Sequence, residues 1–322
     1  MKFLEILDVK QEPIKMSKII LGGVIFGTTL SVEQSFQMMD EFVQQGGNTI
    51  DTARVYCEWI EGGKYASEQT IGEWVKARNN RNAINIITKG GHPRFNNFIV
   101  SRLSREDIFE DIDISLKTLQ MDYVDLYLLH RDDVTRPVSD IMDTMNILVE
   151  QGKTRAIGVS NWSVKRILEA NEYAKENGKV QFCVSEIQWS LAECFPKNFG
   201  DETLICMTQK EYEEYLEIGI PVIAYSSQAN GVFAKAGDEG LEQLPDKLKK
   251  FVTPENIRRY NNLQRLCKKT GYSKTAVSLN YIIDNKLNAA AIIGCSKREQ
   301  LQEALSTTGI TLSMQEIDSL VK

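Results

Sequence analysis

The chain has 322 residues, 42% of them apolar and 25% charged, with 21 Gly, 7 Pro and 6 Cys, the balance of an ordinary globular protein. Its 38 basic and 44 acidic side chains leave a net charge of −6, and the basic ones are scattered, which argues against a nucleic-acid or anionic-membrane surface. The opening stretch lacks the apolar core of a signal peptide and no run approaches the ~18 apolar residues of a membrane helix, so a soluble, cytoplasmic protein is expected. Cysteines that stand singly, with only His92 and His130 beside them, make a disulfide framework or a zinc site a poor expectation.

In chain order, short apolar runs alternate with longer amphipathic segments. Runs at 19–22, 48–51, 84–89, 123–130, 154–160, 183–189, 220–226 and 289–294 read as strands, apolar on both faces as buried parallel strands are. Helical patterns lie at 32–45, 67–78, 104–119, 138–150, 163–177, 209–217, 254–269, 274–285, 297–306 and 314–321. Ser31 with Gln34 and Ser104 with Asp107 supply N-caps. Eight strand-then-helix units without a linker predict an α/β chain folded as one (β/α)8 barrel over 1–322. An open dinucleotide-binding sheet should show G-x-G-x-x-G after the first strand, and Gly22-Gly23-Val24-Ile25-Phe26-Gly27 does not. The segments 190–208 and 227–252 exceed ordinary βα loops and are expected to border a site.

In such a barrel, chemistry sits where strands end. Asp51 ends the second strand with Tyr56 five residues on, Lys89 ends the third and His130 the fourth. A lysine flanked by Asp and Tyr suits a tuned acid: the ammonium favours phenolate and lowers the tyrosine pKa, while the carboxylate keeps the lysine charged. His92, just past Lys89, reads as lining the substrate mouth or as an ordinary solvated loop residue, while Trp59, Phe26 and Trp162 follow strand ends, where pocket wall and ordinary packing are both open readings. Cys57 and Cys295 read as small buried hydrophobes, and Arg131-Asp132-Asp133 as a locally ion-paired loop.

The run Gly46 to Tyr56, Lys89, Leu128-Leu129-His130, Gly158-Val159-Ser160-Asn161-Trp162, Gln188, Tyr225-Ser226-Ser227-Gln228 and Ile293-Gly294-Cys295-Ser296 closely resembles the aldo-keto reductases. The resemblance covers nearly the whole chain. It implies a barrel enzyme that reduces an aldehyde or ketone, a sugar or a small carbonyl compound, to the alcohol with NADPH, favoured over NADH. It makes Tyr56 the proton donor, Lys89 and Asp51 its tuners, and His130 the group that orients the carbonyl. It places Ser160, Asn161 and Gln188 on the nicotinamide carboxamide and Tyr225 on its ring. Ser226, Gln228 and Gly231 would lie along the pyrophosphate, and Ser296, Gln300 and Glu303 at the adenosine end.

Ala304 stands where the family commonly has Asn, and Ser296 where many relatives have Arg or Lys, although Lys297 and Arg298 are adjacent. Two rival readings follow: a Schiff-base lysine at Lys89, and, by similarity to the potassium-channel beta subunits, an NADPH-binding regulatory or redox-sensing partner with little turnover.

Overall fold

The computed structural model describes residues 1–322. It opens with an antiparallel hairpin, β1 (Phe3–Leu7) and β2 (Pro13–Ser17). Eight parallel strands follow: β3 (Ile19–Gly22), β4 (Thr49–Asp51), β5 (Asn85–Gly90), β6 (Val124–Leu129), β7 (Thr154–Ser160), β8 (Ser185–Gln188), β9 (Val222–Tyr225) and β10 (Ala289–Ile293). They pair in chain order, and β10 closes onto β3 to complete a barrel. The surrounding helices are α1 (Val32–Gln44), α2 (Ala66–Arg78), α3 (Arg105–Leu119), α4 (Val138–Glu150), α5 (Val164–Glu176), α6 (Gln209–Ile218), the short α7 (Val232–Lys235) and α8 (Asp246–Lys249), then α9 (Pro254–Thr270), α10 (Lys274–Ile283), α11 (Arg298–Ser306) and α12 (Met314–Val321). The single-domain (β/α)8 barrel is therefore the fold, and every expected strand and helix is present within a few residues of its expected ends.

The pleat sorts the side chains. In β6, Leu126 and Leu128 face the barrel interior while Tyr127 and Leu129 pack outward against the helices. The same period turns Ile87 inward on β5 and Ile223 on β9, and therefore Lys89 and Tyr225 as well. Helix starts follow the expected chemistry: Ser31 and Gln34 form a reciprocal capping box on α1, and the Ser104 hydroxyl accepts from the Asp107 N–H on α3.

The hairpin is the element that the strand pattern did not announce. Leu4, Ile6, Ile14 and Met16 alternate with exposed Glu5 and Lys15 and join the cluster that fills the barrel interior, stopping its amino-terminal end. The two long loops are largely ordered by their own contacts. Asn256 on α9 ties them together: its Oδ1 accepts from the Glu193 N–H (2.7 Å) and its Nδ2 donates to the carbonyls of Glu193 and Phe251 (both 2.9 Å).

Candidate active site

At the carboxyl end of the barrel, Asp51 closes β4, Lys89 lies at the penultimate position of β5 and Glu186 sits in β8, all fully buried. The Lys89 ammonium donates to Asp51 Oδ1 (2.5 Å), to the Thr52 carbonyl (3.0 Å) and to the Tyr56 hydroxyl (3.2 Å), which uses its three protons. Tyr56 in turn donates to Asp51 Oδ2 at 3.4 Å. From across the barrel, Glu186 Oε1 stands 3.4 Å from the same ammonium, while Oε2 is buried without a partner. The expected Asp51, Tyr56 and Lys89 are brought into one cluster, and Glu186 is a fourth member that the sequence reading missed.

Burial alone would lower the Lys89 pKa, but the charges of Asp51 and Glu186 outweigh it and hold the lysine as ammonium. The expected lowering of Tyr56 is not what the site does. Burial and the Asp51 carboxylate raise the phenol above its ordinary value despite Lys89, so the Tyr56 hydroxyl keeps its proton. Two carboxyls beside one ammonium cannot both ionise cheaply. Asp51 accepts from Lys89 and Tyr56 and carries the charge, whereas burial and Asp51 push Glu186 up to about 8.

His130 follows β6 with its ring centroid 6.1 Å from that of Tyr56. Burial, reinforced by His92 and Arg131, holds its pKa well below the ordinary value, so the ring is neutral; its Nδ1 is buried without a partner. His92, expected in a loop, is buried edge-on against His130 at 4.9 Å. Burial pushes it down to about 4, and its Nδ1 contacts the Pro93 carbonyl at 2.6 Å, which makes Nδ1 the protonated nitrogen. From His92 the aromatic surface continues to Phe95 (5.3 Å), Phe98 (5.9 Å) and, beyond Phe95, Trp59 (5.7 Å). Trp59 and Phe98 are 52% and 54% exposed. Phe26 and Trp162 are wholly buried core residues.

Ser160 ends β7 and Asn161 follows in the left-handed conformation (φ 59). The Asn161 amide donates to Ser160 Oγ (3.0 Å) and accepts from the Tyr225 hydroxyl (2.7 Å), so these three expected residues form one patch beside the lysine cluster. Gln188 on β8 is the register partner of Tyr225 on β9, beside that patch, with its amide donating to Ser190 Oγ (3.3 Å) in the following loop. After β9, Ser226, Ala229, Asn230 and Gly231 all have positive φ, and the Gln228 carbonyl accepts from the Gly231 N–H (2.7 Å). At the start of α11, Gln300 Oε1 caps the N–H groups of Ser296 (2.9 Å) and Lys297 (3.2 Å), with Glu303 exposed on the next turn. Ala304 is core, and Arg298 is paired with Glu41 at 2.6 Å. Burial raises Cys57 and pushes Cys295 up to about 12, as for inert buried thiols. Arg131 pairs with Asp201 and Asp132 with Arg166.

One signal for Glu186 was present: it is the one ionisable side chain in the strand Ser185–Gln188. No comparable signal marks the rings at 95–98, whose placement depends on loop conformation.

No helix is long and apolar enough to cross a membrane. Among curated proteins, an aryl-alcohol dehydrogenase of Pestalotiopsis microspora is 27% identical over 96% of this chain and 79% of its own length. A norsolorinic acid reductase of Emericella nidulans is 28% identical over 94% of this chain and 77% of its own length. The sequence pattern of the Aldo/keto reductase family matches residues 18–322. With that match laid over a closed barrel whose strand ends gather these residues, the chain belongs to the aldo/keto reductase family and is an oxidoreductase.

Proposed function

We propose that the protein reduces an aryl aldehyde or ketone to its alcohol with NADPH, Tyr56 supplying the proton. The observation that carries this reading is the half-buried phenol of Tyr56, held protonated and within 3.2 Å of the Lys89 ammonium and 3.4 Å of Asp51. The aryl preference rests on the run of rings from His130 through His92 to Phe95, Phe98 and Trp59, which suits a flat aromatic substrate by edge and face contacts. The name of the aryl-alcohol dehydrogenase relative agrees with it.

NADPH would supply hydride. The acceptor and donors of Ser160 and Asn161, with the Tyr225 ring beside them, fit a carboxamide on an aromatic ring. Gln188, Ser226, Gln228 and Gly231 extend that track, and Ser296, Gln300 and Glu303 begin the adenosine end. Lys297 at the N-cap of α11, with Arg298 beside it on Glu41, favours a cofactor bearing an extra phosphate. Within the chain, His130 orients the carbonyl oxygen as a neutral hydrogen-bond donor, and Tyr56 protonates that oxygen as charge develops on it. Lys89 stabilises the phenolate left behind, and Asp51 fixes Lys89 in place. Six free cysteines fit a reducing compartment such as the cytoplasm.

Fluorescence titration with NADPH and NADH, followed by nicotinamide absorbance with a panel of aryl and alkyl carbonyls, tests the reading. Tyr56→Phe is expected to lower kcat by about 10²- to 10⁴-fold while NADPH affinity changes by less than about twofold. Unchanged turnover in that variant removes Tyr56 as donor. Tight NADPH retention without turnover of any carbonyl would favour a regulatory partner instead.

A further inference from the structure

Glu186 is a buried carboxyl that the mechanism above does not use. Its Oε1 lies 3.4 Å from Lys89 Nζ, and its Oε2 is shut away from solvent with no donor in reach. Each proton of the ammonium is already committed to Asp51, Thr52 or Tyr56. A carboxylate so placed would be a second negative charge whose one cationic contact, at 3.4 Å, is an ammonium already shared by three other acceptors, whereas a carboxylic acid there becomes a donor with the Asp51 carboxylate as its acceptor. The groups that face it are Asp51 from β4, Lys89 from β5, Tyr225 from β9 and Tyr56 from the loop after β4, with His130 beyond Tyr56.

We propose that Glu186 is the proton reservoir of the site, passing its carboxyl proton by way of Lys89 to Tyr56 as that phenol gives up its own. The inference rests on Tyr56 as donor. The Tyr56 O–H bond breaks as the carbonyl oxygen gains a proton. Lys89 releases a proton along the N–H already aimed at the Tyr56 oxygen, 3.2 Å away, and takes one from Glu186 in return. The negative charge ends on Glu186, beside a restored ammonium, and no electron moves in the relay. The direction is downhill, because a carboxyl pushed up to about 8 is a stronger acid than a phenol, whose ordinary value is near 10 and which is raised here. Glu186 acts only through Lys89 and Tyr56 and recovers its proton between turnovers.

The test is the pH profile of benzaldehyde reduction with NADPH, paired with infrared titration of the protein alone. In the parent, kcat is expected to fall above about pH 8 as Glu186 ionises. In Glu186→Gln the rate at pH 7 drops about tenfold or more, and the alkaline fall moves to pH 10 or beyond, where the phenol itself titrates. A variant that loses rate equally at every pH, with the fall still near pH 8, overturns the proposal. The infrared difference between parent and Glu186→Gln should show one protonated carboxyl band that fades through about pH 8, and its absence also overturns it. That difference cancels the band of Glu68, another buried carboxyl raised to about 7. Should Glu186→Gln fail to fold, Glu186→Asp answers the same question: it keeps an alkaline fall below pH 9 if the carboxyl is the reservoir, and shows none if it is not. If the parent reduces no carbonyl, the proposed function fails, while the infrared titration still decides where the proton resides.

Discussion

Neutrality of the imidazole at His130 is the residue-level feature with the most direct kinetic consequence. Burial, with the positive charges of Arg131 and Lys89 nearby, disfavours the imidazolium, and His92 behaves the same way, down to about 4. A neutral ring donates one hydrogen bond to a carbonyl oxygen without carrying charge into the pocket. As pH falls through the ordinary histidine value near 6.5, neither ring should gain a proton, so kcat/KM for carbonyl reduction is expected to stay flat from about pH 7 to pH 5. A profile measured on the parent protein checks this. An inflection near 6.5 that disappears in His130→Gln would show that the ring titrates at its ordinary value. Asp51, Tyr56, Lys89 and His130 were legible in the sequence because each ends or follows a run that could only be a buried strand. Their pKa directions were not, since the rise at Tyr56 comes from burial and from Asp51 lying within 3.4 Å.

Elements were read well where periodicity carries the burial and poorly where closure does. The eight barrel strands announce themselves by being apolar on both faces, but Glu186 in β8 meets Lys89 in β5 only when the sheet closes and opposite walls approach. The β1–β2 hairpin alternates correctly, yet nothing in its ten strand residues says that they will stop the end of a barrel. The α2–α3 contact shows a similar limit. Gly72 lies inside α2, where alanine would ordinarily gain about 1 kcal/mol of helix propensity. In the fold, a Cβ at that position would sit 2.3 Å from the Leu119 carbonyl oxygen and 2.8 Å from its Cα. That is backbone at the last turn of α3, which cannot swing away as a side chain can. Gly72→Ala is therefore expected to destabilise by about 1–3 kcal/mol, read from the denaturant midpoint at unchanged slope. A stabilised variant would mean that the two helices have slack to separate.

Across the whole molecule, folding buries titratable groups with opposite responses to pH. Glu68 on α2 is wholly buried against β5, where Thr88 donates to its Oε1 at 2.6 Å and its Oε2 has no partner. Burial pushes its carboxyl up to about 7, and burial with Asp51 pushes Glu186 to about 8. A carboxyl whose folded pKa exceeds its unfolded value near 4.3 binds more protons when folded. Its contribution to stability is complete below about pH 4.3 and is lost as pH rises to 7 or 8. His92 and His130, held neutral below their unfolded value near 6.5, contribute stability that is present above that pH and is lost toward pH 4. The two slopes oppose each other between about pH 4.3 and 6.5, and above that range the carboxyls act alone, so the parent should weaken from pH 6.5 to 8. Glu68→Gln keeps the shape and removes one titration. Its stability relative to the parent is expected to be about 2 kcal/mol more favourable at pH 8 than at pH 5. Denaturant unfolding of both proteins at the two pH values measures that difference directly, whatever constant offset the new amide hydrogen bonds bring. An identical offset at both pH values would mean that Glu68 keeps an ordinary pKa in the fold.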